Sequence, residues 1–212
     1  MTVFFKPDPI ASISGTTSIC TGNSTDIIFN ATPNTVVTYK KNSGTDQTIA
    51  IGASGTATLN TGALTANTTY SLLSVKYSTA PDCPKAITGS AVVTITAKPT
   101  VTISYGSSPY NKCINTGQTV TLTGTGAYTN GVYSALSGLS IDPSTGAIIP
   151  STSTAGTYTV TYETLASGGC EKVSTTTQVV IEAIPTITLS YEGTPFCSDN
   201  NTSPLPTLGG TG

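Results

Sequence analysis

A single junction pattern recurs along this chain, and it restricts the fold more than anything else in the sequence. Val93-Thr94-Ile95-Thr96-Ala97-Lys98-Pro99-Thr100-Val101-Thr102-Ile103-Ser104-Tyr105 returns 86 positions later as Val179-Val180-Ile181-Glu182-Ala183-Ile184-Pro185-Thr186-Ile187-Thr188-Leu189-Ser190-Tyr191. Thr2-Val3-Phe4-Phe5-Lys6-Pro7, followed by Ile10-Ala11-Ser12-Ile13-Ser14, has the same strand, proline, strand layout 92 positions before the copy at 93–105. Repeats of about 90 residues are long enough to carry their own core, so they form beads on a string rather than a solenoid. The expected organisation is 1–7 as the end of a preceding repeat or a junction strand, 8–98 as repeat 1, 99–184 as repeat 2, and 185–212 as the truncated start of repeat 3. Pro7, Pro99 and Pro185 mark the junctions, where a fixed φ limits bending.

Within each repeat, short alternating apolar runs are separated by turn residues every ~8–12 positions, the pattern of an all-β sandwich with about seven strands. Repeat 1 predicts strands over 10–14, 26–30, 36–40, 48–51, 56–59, 69–77 and 86–97; repeat 2 predicts them over 100–105, 119–122, 132–135, 139–141, 147–149, 157–163 and 173–182. The fold class is therefore tandem immunoglobulin-like β-sandwich repeats. Asp142-Pro143-Ser144-Thr145-Gly146 reads as a turn closing a hairpin, with Gly146 free to adopt positive φ. Tyr70 and Tyr158 each open the sixth strand of a repeat, the place where a tyrosine corner ties its hydroxyl to the backbone just upstream.

The five cysteines divide among the repeats as Cys20 and Cys83, Cys113 and Cys170, and Cys197. In both complete repeats the first follows strand one and the second precedes the last strand. The simplest connectivity is one disulfide per repeat, Cys20–Cys83 and Cys113–Cys170, with Cys197 left unpaired by truncation. Such bonds place the chain outside a reducing cytosol. A zinc site is the alternative for cysteines, but there is no close C-x-x-C pair and no His.

The chemistry that is missing excludes several function classes. Without His there is no Ser-His-Asp or Cys-His arrangement and no imidazole acid or base. The ten acidic residues are scattered, and Asp46, Asp82 and Asp142 fall in predicted turns, so a paired-carboxylate site is not expected and the chain reads as no enzyme. Charged residues make up 8% of the chain and the net charge is −2, which provides no basic face for nucleic acid. No run of ~18 apolar residues could insert in a membrane, and the start lacks a signal-peptide pattern. No cofactor and no metal is expected; the residues nearest to a calcium set are Asp142 and Asp199. Sugar binding calls for exposed flat aromatics, and Tyr110, Tyr128 and Phe196, in predicted loops, are the candidates. Asn30-Ala31-Thr32 and Asn67-Thr68-Thr69 are glycosylation sequons of the kind a Thr-rich chain acquires by chance.

Ile13-Ser14-Gly15-Thr16-Thr17-Ser18-Ile19-Cys20-Thr21-Gly22 with Gly55-Thr56-Ala57-Thr58-Leu59, and Gly138-Leu139-Ser140-Ile141-Asp142-Pro143-Ser144-Thr145-Gly146 with Ala155-Gly156-Thr157-Tyr158-Thr159-Val160, resemble repeats of the SprB-type giant surface adhesins of gliding Bacteroidota. The resemblance covers nearly the whole chain. It implies type IX secretion, gliding motility, a cell-surface location with outer-membrane attachment through parts outside this chain, and a long non-enzymatic filament touching a surface, glycan or protein ligand. Neighbouring repeats of the same chain would be its first partners. Two other readings remain: a ligand-binding module for glycan or protein, using the loops at one end of a sandwich, and an accessory domain of a secreted hydrolase.

Overall fold

The computed structural model describes residues 5–192, 198 and 205–211. It contains two compact units, one built from Met1–Pro99 with Leu165–Lys172, the other from Thr100–Thr164 with Val173–Gly212. The division departs from the repeat boundaries in two places. The segment Leu165–Lys172 belongs with the first unit, and the stretch from 185 onward groups with the second.

The strands of unit 1 are β1 (Ala11–Ser14), β2 (Thr17–Cys20), β3 (Asp26–Ala31), β4 (Thr35–Lys41), β5 (Asp46–Ile51), β6 (Thr56–Asn60), β7 (Thr68–Tyr77), β8 (Lys85–Ala86) and β9 (Ser90–Thr96). They form a three-stranded sheet ordered β1-β3-β6 and a larger sheet ordered β2-β9-β7-β4-β5, with β8 added to β7. All pairings are antiparallel except β2 with β9, which run parallel with Cys20 opposite Thr96. Two antiparallel sheets enclosing one core, with a first strand shared between them, is the immunoglobulin-like sandwich. Period-two alternation builds it: in β3, Ile27 and Phe29 are fully buried while the Ile28 between them is exposed. Val37, Val75, Ala91 and Val93 complete the dry centre.

Unit 2 follows the same plan with fewer strands: β10 (Thr100–Ser104), β11 (Tyr110–Asn111), β12 (Thr121–Thr125), β13 (Val132–Ala135), β14 (Gly156–Glu163) and β15 (Ser174–Glu182). β10 pairs with β12, and the other sheet is ordered β11-β15-β14-β13, again with the short β11 parallel to the last strand. The expected strands over 139–141 and 147–149 shrink to isolated bridges, Ile141↔Ile148 and Gln118↔Ile148, followed by a single turn of 3-10 helix over Pro150–Thr152.

A hairpin of β16 (Thr186–Tyr191) and β17 (Pro206–Thr211) repeats the β10–β12 pair position by position. Thr186 faces Thr211 as Thr100 faces Thr125, and in both pairs the hydroxyls hydrogen-bond, at 2.8 and 2.7 Å. The structural period thus equals the 86-residue sequence period between Pro99 and Pro185. Pro99 and Pro185 stand immediately before β10 and β16, and Pro7 lies four residues before β1. Pro99 is buried, while Pro7 and Pro185 are exposed.

Candidate functional site

The cysteines overturn the expected one-per-repeat connectivity. Cys20 bonds Cys170, 150 residues away, with an S–S distance of 2.03 Å, and Cys83 and Cys113 are free thiols. Neither Cys20–Cys83 nor Cys113–Cys170 exists, and strand direction explains why. Cys20 ends β2 and lies beside Thr96, the last residue of β9. Cys83 lies at the far end of β7, where the Tyr77 N–H donates to Asp82 O at 2.7 Å. β7 has ten residues and starts opposite Val93, so about 30 Å of strand separates the two cysteines. A disulfide requires Cα atoms within roughly 4.4–6.8 Å.

Repeat 2 has the same geometry. Cys113 follows Asn111, opposite Glu182 at the end of β15, whereas Cys170 precedes Ser174 at its beginning, about 30 Å of strand away. Cys197 lies outside the described residues.

Cys170 reaches Cys20 on a tight segment that the chain inserts between β14 and β15. Ser167 and Cys170 exchange both backbone hydrogen bonds, 3.1 and 2.9 Å, around Gly168 and Gly169. These two glycines have φ of +57° and +79°, and a Cβ on Gly169 would collide with the Ser18 carbonyl. Glycine therefore serves both the left-handed turn and the close backbone approach. The Cys170 Sγ comes to rest 3.7 Å from Thr96 O and 3.8 Å from Ala97 O.

The tyrosine pair also divides. Tyr158 Oη donates to Thr154 O, four residues upstream, at 2.9 Å, the geometry of a tyrosine corner. Tyr70 does not form one. It is buried beside Tyr39, and the Ala66 carbonyl that a corner would use accepts from the Thr68 hydroxyl instead.

Of the loop aromatics, Tyr110 is not in a loop at all: it forms β11 and is 2% exposed, a core residue. Tyr128 packs half-buried against the same core. Phe196 lies outside the described residues. Neither Tyr110 nor Tyr128 offers sugar a free ring.

The acids act locally. Asp46, Asp82 and Asp8 form exposed ion pairs with Lys40, Lys76 and Lys85 at 3.4, 3.3 and 3.0 Å. Asp142 accepts the Ser144 and Thr145 N–H groups, both at 2.8 Å, and these bonds hold its carboxyl below the ordinary carboxylate value. Its Oδ1 thus serves the turn, and Asp199, the other calcium candidate, lies outside the described residues. Among the described residues no three Cys, Asp or Glu side chains cluster as metal ligands. A shallow groove in unit 1 runs along Ile10, Ala11, Ala31, Pro33 and Gly55 and is lined by no charged or aromatic side chain. No helix of the described residues is long and apolar enough to cross a membrane.

No protein-family model matches the chain, and no curated protein does. Solved structures with similar coordinates include the C-terminal 282-residue fragment of intimin in complex with the translocated intimin receptor's intimin-binding domain, at 16% identity and a TM-score of 0.46 over 86% of this chain and 66% of that one. Others are DIP-gamma IG1+IG2, at 12% identity and 0.40 over 84% of this chain and 98% of that one, and the N-terminal four Ig domains of Dscam1, at 14% and 0.36 over 85% and 48%. The chain spans about two thirds of the intimin fragment it matches. The Ig-like fold rests on the strand order and pairing described above.

Proposed function

We propose that this chain is a non-enzymatic, rod-forming segment of an extracellular surface adhesin, its repeats acting as a stalk that carries load, as the likeness to SprB-type gliding adhesins implies. The observation that supports it is the Cys20–Cys170 bond, which joins cysteines of two consecutive sequence repeats rather than closing one repeat on itself. A bond inside a repeat protects only that repeat. One that joins successive repeats removes the intervening chain from extension, which is what a tensile element needs. A structural disulfide also fits an oxidising location at the cell surface.

Pulling the chain by its ends in a force spectrometer tests this. With the bond intact, 150 residues are withheld from extension, so the oxidised contour falls short of the reduced one by about 50 nm, at ~3.3–3.6 Å per extended residue. Equal unfolding force and equal extension in the two states would remove the load-bearing role. Binding of soluble glycans or proteins at low force by the intact chain would favour a ligand-binding module instead.

A further inference from the structure

We propose that Cys83 and Cys113 are two halves of a continuing disulfide register, in which the first cysteine of each repeat bonds the second cysteine of the repeat that follows. Cys20–Cys170 is the complete rung among the described residues. Cys113 would then receive the second cysteine of a following repeat, and Cys83 the first cysteine of a preceding one. The proposal extends the stalk reading without depending on it, since a stapled array could serve any surface role.

Two independent observations carry it. The first is the parallel strand pair that presents the first cysteine. In unit 1, Cys20 lies opposite Thr96 and the next N–H, of Thr21, donates to Thr96 O at 2.9 Å. In unit 2, Asn111 lies opposite Glu182 and the next N–H, of Lys112, donates to Glu182 O at 3.3 Å. Thr96 and Glu182 are the same repeat position, 86 residues apart. Cys113 stands directly after Lys112, exposed, at the same exit end of the last strand that Cys20 occupies in the first repeat.

The second observation concerns the loop that carries the second cysteine. Cys170 precedes the last strand of its repeat, and its segment lies against Thr96 and Ala97 at the end of the repeat before. Cys83 also precedes the last strand of its repeat, and its loop lies against residues 6–8. Lys6 Nζ donates to Thr79 O and Pro81 O at 3.3 and 3.2 Å, Tyr77 Oη donates to Pro7 O at 2.9 Å, and Lys85 pairs with Asp8 at 3.0 Å. Lys6-Pro7 is the junction counterpart of Lys98-Pro99, which directly follows Thr96 and Ala97. The Cys83 loop thus already sits on the counterpart of the segment that ends repeat 1, with its thiol half-buried and unbonded to sulfur.

Each rung forms by thiol–disulfide exchange with a disulfide oxidant. One cysteine thiolate attacks the oxidant's disulfide and expels a thiol; the second then attacks the mixed disulfide and expels the other. Two protein thiols become one disulfide, and the oxidant leaves as two thiols carrying the two electrons and two protons.

The test inserts a second copy of 99–184, carrying Cys113→Ser so that its peptides differ from the native ones, directly before Pro185 and maps the non-reduced, alkylated protein by mass spectrometry. The copy adds one cysteine, the counterpart of Cys170, yet the number of free thiols should fall by one, because that cysteine consumes the native Cys113. The native Cys20–Cys170 rung in the same map reports that the parent fold is intact. Recovery of the native Cys113 as an alkylated thiol, or bonded to the Cys170 of its own repeat, overturns the register. A copy of 8–98 carrying Cys83→Ser, inserted after Pro7, should likewise bond its Cys20 to the native Cys83, and free Cys83 overturns that half. On the unextended chain, Cys20→Ser should leave both Cys170 and Cys113 open to alkylation; a new Cys113–Cys170 bond would contradict the proposal.

Discussion

The two sandwiches follow one plan but hold their interiors together differently. Unit 1 completes both sheets, and its centre is Ile27, Phe29, Val37, Val75, Ala91 and Val93, all with no exposed surface. Unit 2 has only bridges and a helical turn between β13 and β14, and its core contains five tyrosines, Tyr105, Tyr110, Tyr133, Tyr158 and Tyr162, where the core of unit 1 contains Tyr39 and Tyr70. Three of the five donate to backbone: Tyr105 to Gly146 O at 2.6 Å, Tyr158 to Thr154 O at 2.9 Å and Tyr162 to Tyr128 O at 2.7 Å. Buried carbonyls require partners, and where no neighbouring strand supplies a ladder, a phenol can. Strand loss in unit 2 is thus accompanied by hydroxyl pins inside its core, whereas the core tyrosines of unit 1, Tyr39 and Tyr70, make none and the backbone pin there is Tyr77 on the Pro7 carbonyl, outside that cluster.

The largest contrast comes from the disulfide, which belongs to unit 1. Removing it with Cys170→Ser should cost at most about 5 kcal/mol in the chain-entropy picture for a 150-residue loop, and less where unit 2 stays folded while unit 1 opens. Calorimetry with and without reductant should show the transition of unit 1 falling most. If both transitions fall equally, the staple does not belong to unit 1 alone. Next is the dry core: Phe29→Ala removes a fully buried ring that packs 5.0 Å from Tyr39, at a cost of ~3–5 kcal/mol confined to the unit 1 transition.

The hydroxyl pins give the middle range. Tyr105→Phe keeps the ring but leaves the buried Gly146 carbonyl without its donor, for a loss of ~1–3 kcal/mol in unit 2 by chemical denaturation. Tyr70→Phe in unit 1 removes a hydroxyl with no such backbone bond and should change stability by less than ~0.5 kcal/mol. Equal losses would erase the distinction between the units. Alkaline titration sharpens it further. Burial, with smaller contributions from Tyr133 and Tyr110, pushes the Tyr105 phenol well above the ordinary tyrosine value. A folded pKa raised above the unfolded one gives stability that is complete below the unfolded value, about pH 10, and is lost as pH rises from there toward the folded value. Unit 2 should therefore weaken above about pH 10, with tyrosinate absorbance appearing together with unfolding, and Tyr105→Phe should flatten that limb.

Alternation made the long strands of both units legible in sequence: β3, β4, β7, β14 and β15 appear within a few residues of their expected places. What escaped was short. β2 has four residues and β11 two, too few for a period to register, and both run parallel to the last strand. Missing them had a direct consequence for the cysteines. A Cys after the first strand and a Cys before the last can meet within a repeat only if those strands run antiparallel. Once they run parallel, the two positions lie at opposite ends, and the partner must come from another repeat. Tyr110 was misplaced for the same reason, since a two-residue strand reads as loop. The 86-residue period, visible in sequence, reappears as the matching registers of β10–β12 and β16–β17.

The smallest effect should come from the turn that stands in for a strand pair in unit 2. Asp142 N–H donates to Ala147 O and Gly146 N–H to Asp142 O, both at 2.8 Å, and Gly146 takes a φ of +71° to close the loop. The exposed Asp142 carboxylate adds the two bonds from Ser144 and Thr145, the main cause of its lowered pKa. Hydrogen bonding to the charged form lowers the folded pKa below the unfolded one, so this contribution is present above the ordinary carboxylate value and is lost as pH falls through the folded pKa. Asp142→Ala should therefore leave the core packing of both units intact, speed hydrogen exchange at the Ser144 and Thr145 amides at neutral pH, and abolish the acid-dependent part of that exchange. Should the amides exchange equally in variant and parent, the backbone of the turn holds itself, and the tyrosine pin on Gly146 is what keeps it closed.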